Sequence, residues 1–186
     1  AYCQYAEQCV GNLPPELLAQ KEDLLKDRVA IEMKRYFKTD FKRIGHASRV
    51  ARYAERIGKS EKGNLAVILA AAYLHDIGQL EAEKKFGEAA PQHHEQEGGE
   101  VARSILVKLG AKEEMIDAVC DIIAHHHEPH EKDDINFQVV FDADLIDKLD
   151  QRRKRSPEEQ ADWGREIDSR FLTESGRQEA REILLG

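Results

Sequence analysis

Cysteine is scarce in this sequence. Its 186 residues include three, Cys3, Cys9 and Cys120, too few and too scattered for a disulfide framework. Five residues separate Cys3 from Cys9, a spacing that permits half of a metal or cluster motif, although two ordinary thiols are the better explanation. The low cysteine content favours a reducing compartment.

Long apolar runs and excess positive charge are also missing. The longest apolar stretch, Leu65 to Leu74, falls short of the roughly 20 residues that a membrane-spanning helix needs. We recognise no cleavable secretory signal, so we expect a soluble, cytoplasmic protein without a membrane partner. The net charge of −8 disfavours non-specific binding to nucleic acid. An anionic substrate would therefore need local cations.

No sustained period-two alternation indicates a sheet, whereas apolar positions recur every three or four residues, which predicts an all-α bundle. We expect a single domain with its core at about 41–150, an N-terminal helical extension over 1–40 and C-terminal helices over 157–185. The N-terminal extension is expected to pack on the bundle or to form the face of a homodimer. Turn and breaker residues place helices near 15–38, 44–58, 63–77, 93–109, 112–127, 135–150 and 157–184, the last broken around 173–176.

Two ionisable residues end the most apolar helix. The segment from Leu65 to Ile77 is apolar nearly all round, a pattern typical of a helix buried on every side. His75 and Asp76 are then carried inward. Since desolvating a carboxylate costs several kcal/mol unless it is paired or binds a metal, we expect a cation beside this pair.

Other histidines also fall on apolar helix faces. His46 shares its face with Val50 and Ile57, and of the pair His93 and His94 the second faces the apolar side.

In the triplet His125 to His127, the apolar stripe of the preceding helix points nearest to His126. His125 and His127 remain alternatives. The segment "NFQVVFDADLIDKLD" buries at least one of Asp142 and Asp144, and periodicity cannot choose between them.

Together these residues indicate a metal site. A single inward histidine is usually a hydrogen-bonded core residue, but a core filled with imidazoles and carboxylates needs a cation. Six protein ligands without a thiolate suit one or two divalent transition metal ions, with iron first and manganese, nickel, cobalt and zinc as alternatives. A dinuclear site is the most economical interpretation. The expected ligands are His46, His75, Asp76, His94, His126 and either Asp144 or Asp142.

Five short motifs, in order, resemble those of the HD-domain metal-dependent phosphohydrolases: "RIGHASRVA", "YLHDIG", "HHEQEGG", "IIAHHHE" and "FDADLID". The resemblance spans about Phe41 to Asp150. It implies a first metal held by His46, His75, Asp76 and Asp144, because the family's late aspartate directly follows an alanine. It also implies a second metal at His94 and His126, with Asp76 bridging both ions and serving as the catalytic carboxylate.

The implied activity is hydrolysis of a phosphate ester, nucleotide or dinucleotide by a metal-activated hydroxide. Two alternatives share the same ligands: a di-iron oxygenase acting on a small organic substrate, and a sensor domain in which the metal only holds the bundle together.

One residue departs from the family pattern. Many relatives continue the HD pair as "HDIGK", with the lysine approaching the anionic substrate, whereas this chain has Gln79. Arg43, Arg49 and Lys148 are the nearest cations that could replace that charge at the substrate. Each is equally well explained as an exposed helix charge.

Overall fold

The computed structural model describes residues 15–87, 93–130, 132–155 and 162–186, with the backbone alone for 15–24 and 155. These residues form nine helices and no strand, which confirms the all-α prediction. The helices are α1 Pro15–Phe37, α2 Phe41–Ser60, α3 Leu65–Leu74, α4 Gln79–Phe86, α5 His94–Leu109, α6 Glu113–Ala124, α7 Ile135–Arg155, α8 Trp163–Arg170 and α9 Glu174–Leu184.

Helix α3 is the centre of the bundle. Every residue from 67 to 72 is buried, and the helix packs against α1, α2, α6 and α7. The side chain of Asn64 begins it by accepting hydrogen bonds from the amides of Ala66 and Val67. Leu65–Phe86 is long and apolar enough to cross a membrane by length and composition alone. However, 61% of its most apolar window is buried inside the protein, as in a core helix.

A glycine sets the distance between the end of α3 and the start of α5. The chain turns at residues 75–78 before α4 begins. A Cβ atom at Gly78 would lie 2.1 Å from the carbonyl oxygen of His94 and 2.3 Å from the amide nitrogen of Gly98. Only glycine allows this approach, which brings the first residue of α5 beside the His75–Asp76 turn.

Three helix predictions need correction. Helix α4 was not predicted, because it is short and four of its eight residues, "QLEAEKKF", are charged. Helix α7 continues to Arg155, beyond the predicted end at 150. The C-terminal segment is broken as predicted, but at residues 171–173 rather than around 173–176, because Thr173 caps α9 by accepting from the amide of Gly176.

Some predictions fall outside the described residues. These are Cys3 and Cys9, and the side chains of the apolar residues of the N-terminal extension up to Leu24. The homodimer face assigned to that extension stays a prediction.

Candidate metal centre

Five segments bring the six predicted ligands together. His46 lies in α2, His75 and Asp76 in the turn after α3, and His94 is the first residue of α5. His126 follows the end of α6, and Asp144 lies within α7. His75 is 0% and His126 1% exposed, and the side chain of His46, the most open of the six, is 19% exposed.

Four donor atoms form a first group. The Nε2 atoms of His46 and His75 are 3.0 Å apart. Asp76 Oδ2 lies 3.4 and 3.5 Å from these two atoms, and Asp144 Oδ1 lies 3.3 and 3.7 Å from them. Two ligands bound to one ion at about 2.1 Å lie roughly 3.0–3.5 Å apart at octahedral or tetrahedral angles. The group therefore has about the spacing of one metal's ligand shell.

A second group lies on the other side of Asp76. The Nε2 atoms of His94 and His126 are each 3.7 Å from Asp76 Oδ1. Asp76 thus presents one carboxylate oxygen to each pair of histidines, which is the arrangement of a bridging carboxylate. Among the described residues, no group forms a hydrogen bond with the buried Nε2 of His126.

In three of the imidazoles, an oxygen atom that accepts a hydrogen bond from Nδ1 determines which ring nitrogen carries the proton. Nδ1 of His75 donates to the carbonyl oxygen of Ala72, and Nδ1 of His126 donates to that of Ile123, both at 2.9 Å. His46 Nδ1 donates to Asp147 Oδ2 at 2.8 Å. In each neutral ring the Nε2 lone pair therefore points into the cluster. Lone pairs and carboxylates that face one another in a buried site fit a divalent transition metal.

The electrostatics also favour a cation here. Burial, the largest effect, opposes charge on His46, but the carboxylates of Asp144, Asp147 and Asp76 raise its pKa to about 11. Burial likewise acts to raise the pKa of Asp76 and of Asp144, and the facing imidazoles nevertheless hold both below the ordinary range. The cluster attracts positive charge, which either protons or metal ions can supply.

Asp147 is a residue that the sequence analysis missed. It is 1% exposed and lies one helical turn after Asp144. Arg49 holds its other side, with Nε 2.6 Å from Oδ1 and Nη2 3.0 Å from Oδ2. The i, i+3 spacing of Asp144 and Asp147 in "DADLID" was the available signal, because it places both carboxylates on one helix face.

The structure distinguishes clearly between Asp142 and Asp144, the two candidates for the late aspartate. Asp142 turns away from the histidines and accepts hydrogen bonds from the amides of Leu172 and Thr173, both at 2.8 Å, and from the Thr173 hydroxyl at 2.7 Å. Its pKa is raised, chiefly by burial. Asp142 therefore anchors the C-terminal helices, and Asp144 is the aspartate beside the histidines.

The structure places two residues of the histidine triplet, His126 and His127, near the second group. His125 contacts Asp133 in the following loop, with 3.0 Å between Nε2 and Oδ1. His127 stays near the second group, with its ring centroid 5.1 Å from that of His94 and its Nδ1 3.3 Å from Glu95 Oε1. Burial, together with the neighbouring His126 and Lys148, lowers the pKa of His127 to about 3, so its imidazole is neutral. It is within reach as an additional ligand of this group.

The residues predicted to bind substrate are mostly paired with acids. Arg43 donates to Asp40 and Glu83, and its Nε donates to Gln79 Oε1 at 2.7 Å. The Arg43 guanidinium thus lies beside the Gln79 side chain, and two carboxylates neutralise it.

The other two predicted cations each contact an aspartate of α7. Arg49 is paired with Asp147, as described above. Lys148 Nζ lies 2.5 Å from Asp144 Oδ2, and its side chain is 45% exposed. Of the predicted cations, Lys148 alone directly contacts an expected ligand and also reaches solvent.

Comparison with known proteins identifies the family of this chain. The HD-domain family model matches residues 43–150. A crystal structure of a "predicted HD superfamily hydrolase" from an uncultured Thermotogales bacterium is 25% identical, with a TM-score of 0.59 over 83% of this chain and 82% of that chain. No curated protein matches the sequence. The match covers every segment that contributes to the cluster, and the chain therefore belongs to the HD-domain superfamily of metal-dependent hydrolases.

Proposed function

We propose that this protein is a metal-dependent phosphohydrolase acting on a small phosphate ester, nucleotide or dinucleotide. The observation that carries the proposal is the set of imidazoles whose Nδ1 atoms donate to oxygen, since this leaves Nε2 lone pairs directed at buried carboxylates. Membership of the HD-domain superfamily supports hydrolysis as the type of reaction.

The residues divide into two ligand sets. His46, His75, Asp76 and Asp144 would hold one ion, and Asp76, His94 and His126 a second. When bound, such ions would activate water as the nucleophile and offset negative charge on the phosphoryl oxygens. Iron is our first expectation for the metal, with manganese, nickel, cobalt and zinc as alternatives.

Three of the chain's own groups prepare the site. Asp76 presents one oxygen to each set, so it fixes the separation of the two sets. Asp147 holds the His46 ring with Nε2 inward. Lys148 supplies an exposed positive charge beside Asp144. We propose that the Lys148 ammonium group binds an oxygen of the substrate's phosphate, since this acidic protein has little other positive charge at the site.

Matched aspartate variants test the proposal. The apo protein is reloaded separately with Fe²⁺, Mn²⁺, Co²⁺, Ni²⁺ and Zn²⁺, and phosphate release is screened over nucleotides, dinucleotides and phosphate esters. Asp144→Asn should abolish turnover. Asp150→Asn should not, because Asp150 is equally buried in α7 but pairs with Arg153 and Lys154.

Oxygen-dependent substrate oxidation without phosphate release would instead identify the di-iron oxygenase. Metal-dependent stability without any turnover would identify the sensor. Either result overturns the proposal.

A second pair of variants tests the role of Lys148. Lys148 and Lys154 each contact an aspartate four residues earlier at 2.5 Å, but only Lys148 lies beside the cluster. Lys148→Met should raise KM for the phosphorylated substrate more than it lowers kcat, whereas Lys154→Met should leave both nearly unchanged. Equal effects of the two substitutions would remove Lys148 from substrate binding.

A further inference from the structure

A second group of possible ligands lies outside the centre, in the loop between α6 and α7. His125, His130 and Asp133 each offer one donor atom, and these atoms all lie within 4.8 Å of one another. His125 Nε2 is 3.0 Å from Asp133 Oδ1, and His130 Nδ1 is 4.0 Å from the same oxygen. None of the three belongs to the ligand sets of the proposed catalytic site.

Two of the three side chains are already held in place. The His125 ring stacks on Phe137 with 4.7 Å between centroids and an interplanar angle of 10°. Asp133 is held by the backbone amide of His130, which donates to its Oδ2 at 2.5 Å. This leaves Oδ1 directed at the histidines. Little ordering of these groups is then needed to bind an ion.

His130 supplies the adjustable third ligand. Its side chain is 61% exposed, so the ring can rotate and bring a nitrogen closer to Asp133 without disturbing the core. Its open side leaves room for water to complete the coordination. Two imidazoles, one carboxylate and water form a ligand set suited to Zn²⁺, Co²⁺ or Ni²⁺.

We propose that His125, His130 and Asp133 form a separate, solvent-open binding site for a divalent transition metal ion. The ion would link the beginning of the loop between α6 and α7 to its end. This site does not depend on the proposed hydrolase activity, because it shares no ligand with the catalytic groups.

Metal content gives the first test, with Co²⁺ as the probe. The apo protein is dialysed against Co²⁺, and bound metal is measured by mass spectrometry. His130→Ala should hold about one equivalent less than the wild type, whatever number the catalytic site binds. Glu128→Gln, an exposed substitution in the same loop, should match the wild type.

Limited proteolysis locates the ion. Lys132 is exposed and lies between two of the proposed ligands. Co²⁺ should slow tryptic cleavage after Lys132 in the wild type and in Glu128→Gln, and should do so much less in His130→Ala.

His130→Ala should fold normally because its side chain is largely exposed, and circular dichroism checks this. Asp133→Asn provides a second variant for the same measurement. Equal metal content in the wild type, His130→Ala and Asp133→Asn would overturn the proposal and would leave only a loop closed by the contact between His125 and Asp133.

Discussion

The hydrogen-bond partner of Nδ1 determines how each histidine can act as a ligand through Nε2. The carbonyl oxygens of Ala72 and Ile123 can only accept, so His75 and His126 must each present an unprotonated Nε2 to the cluster when neutral. His46 differs, because its Nδ1 partner is the carboxylate of Asp147. A carboxylate partner raises the basicity of the ring and so strengthens it as a ligand.

Asp147→Asn tests this role of Asp147. The amide lacks the negative charge that holds the His46 ring, so metal affinity should fall by about 10–100-fold, the usual effect of losing an outer partner of a ligand. Competition with a chelator measures the affinity. Asp150→Asn is the control, since Asp150 is also buried in α7 but pairs with Arg153 and Lys154. Unchanged affinity in Asp147→Asn would show that Asp147 only pairs with Arg49.

Residue-level prediction from the sequence succeeded where one helix face was apolar and the other was not. That asymmetry selected His94 over His93 and pointed to His126, and the structure brings both chosen side chains to the cluster. It could not separate Asp142 from Asp144, because α7 buries aspartates on two faces, one toward the histidines and one toward the C-terminal helices. Asp147 was missed although its spacing places it on the same helix face as Asp144, because it contacts a ligand instead of joining the ligand set.

Close helix contacts assemble the cluster from short segments. The His75–Asp76 turn can lie against the start of α5 because Gly78 has no side chain. Gly98 in α5 faces this turn and is also closely packed, because a Cβ atom there would lie 2.8 Å from Cγ2 of Ile123. At the neighbouring Gly99, no atom apart from its chain neighbours and the backbone of its own helix lies within 4 Å of the position that a Cβ would take.

These glycines provide a matched pair of substitutions. Gly78→Ala should destabilise the protein by more than about 3 kcal/mol, because the added methyl would overlap backbone atoms that cannot move aside easily. Gly99→Ala should be neutral or stabilising by up to about 1 kcal/mol, since alanine favours a helix. Urea denaturation measures both. Similar stabilities for the two variants would contradict the close approach of the turn to α5.

The C-terminal helices depend on a different contact. Asp142 accepts three hydrogen bonds from the segment that joins α8 to α9. Asp142→Asn replaces one acceptor with a donor and should cost about 1–3 kcal/mol of unfolding free energy, since a buried group loses its partner. Its metal content should equal that of the wild type. Loss of metal in this variant would indicate that Asp142 is a ligand after all.

Element prediction failed where local pattern is weak. Helix α4 is short, half of its residues are charged, and its position is set by packing on α5. A break between α8 and α9 was predicted, but its position a few residues earlier depends on Asp142, about thirty residues earlier in the chain, which no local periodicity reports. The longer apolar helices around α3 were predicted because their periodicity arises from burial itself.

At the scale of the whole molecule, the bundle buries polar groups that a cation stabilises. Ions that bind only the folded state add about 2.7 kcal/mol of stability at one hundred times their Kd. Chelation should therefore lower Tm by roughly 5–10 °C for a chain of this size. Differential scanning calorimetry measures the shift, and Asp144→Asn should show a much smaller one. An unchanged Tm in the wild type would mean that no ion stabilises the fold.

Anomalous scattering from crystals of the metal-loaded protein tests the central claim most directly. We predict one peak at about 2.0–2.2 Å from the ligand atoms of His46, His75, Asp76 and Asp144, and a second at a similar distance from those of Asp76, His94 and His126. Metal-loaded crystals with no peak at either set of atoms, or with peaks only elsewhere, would contradict it.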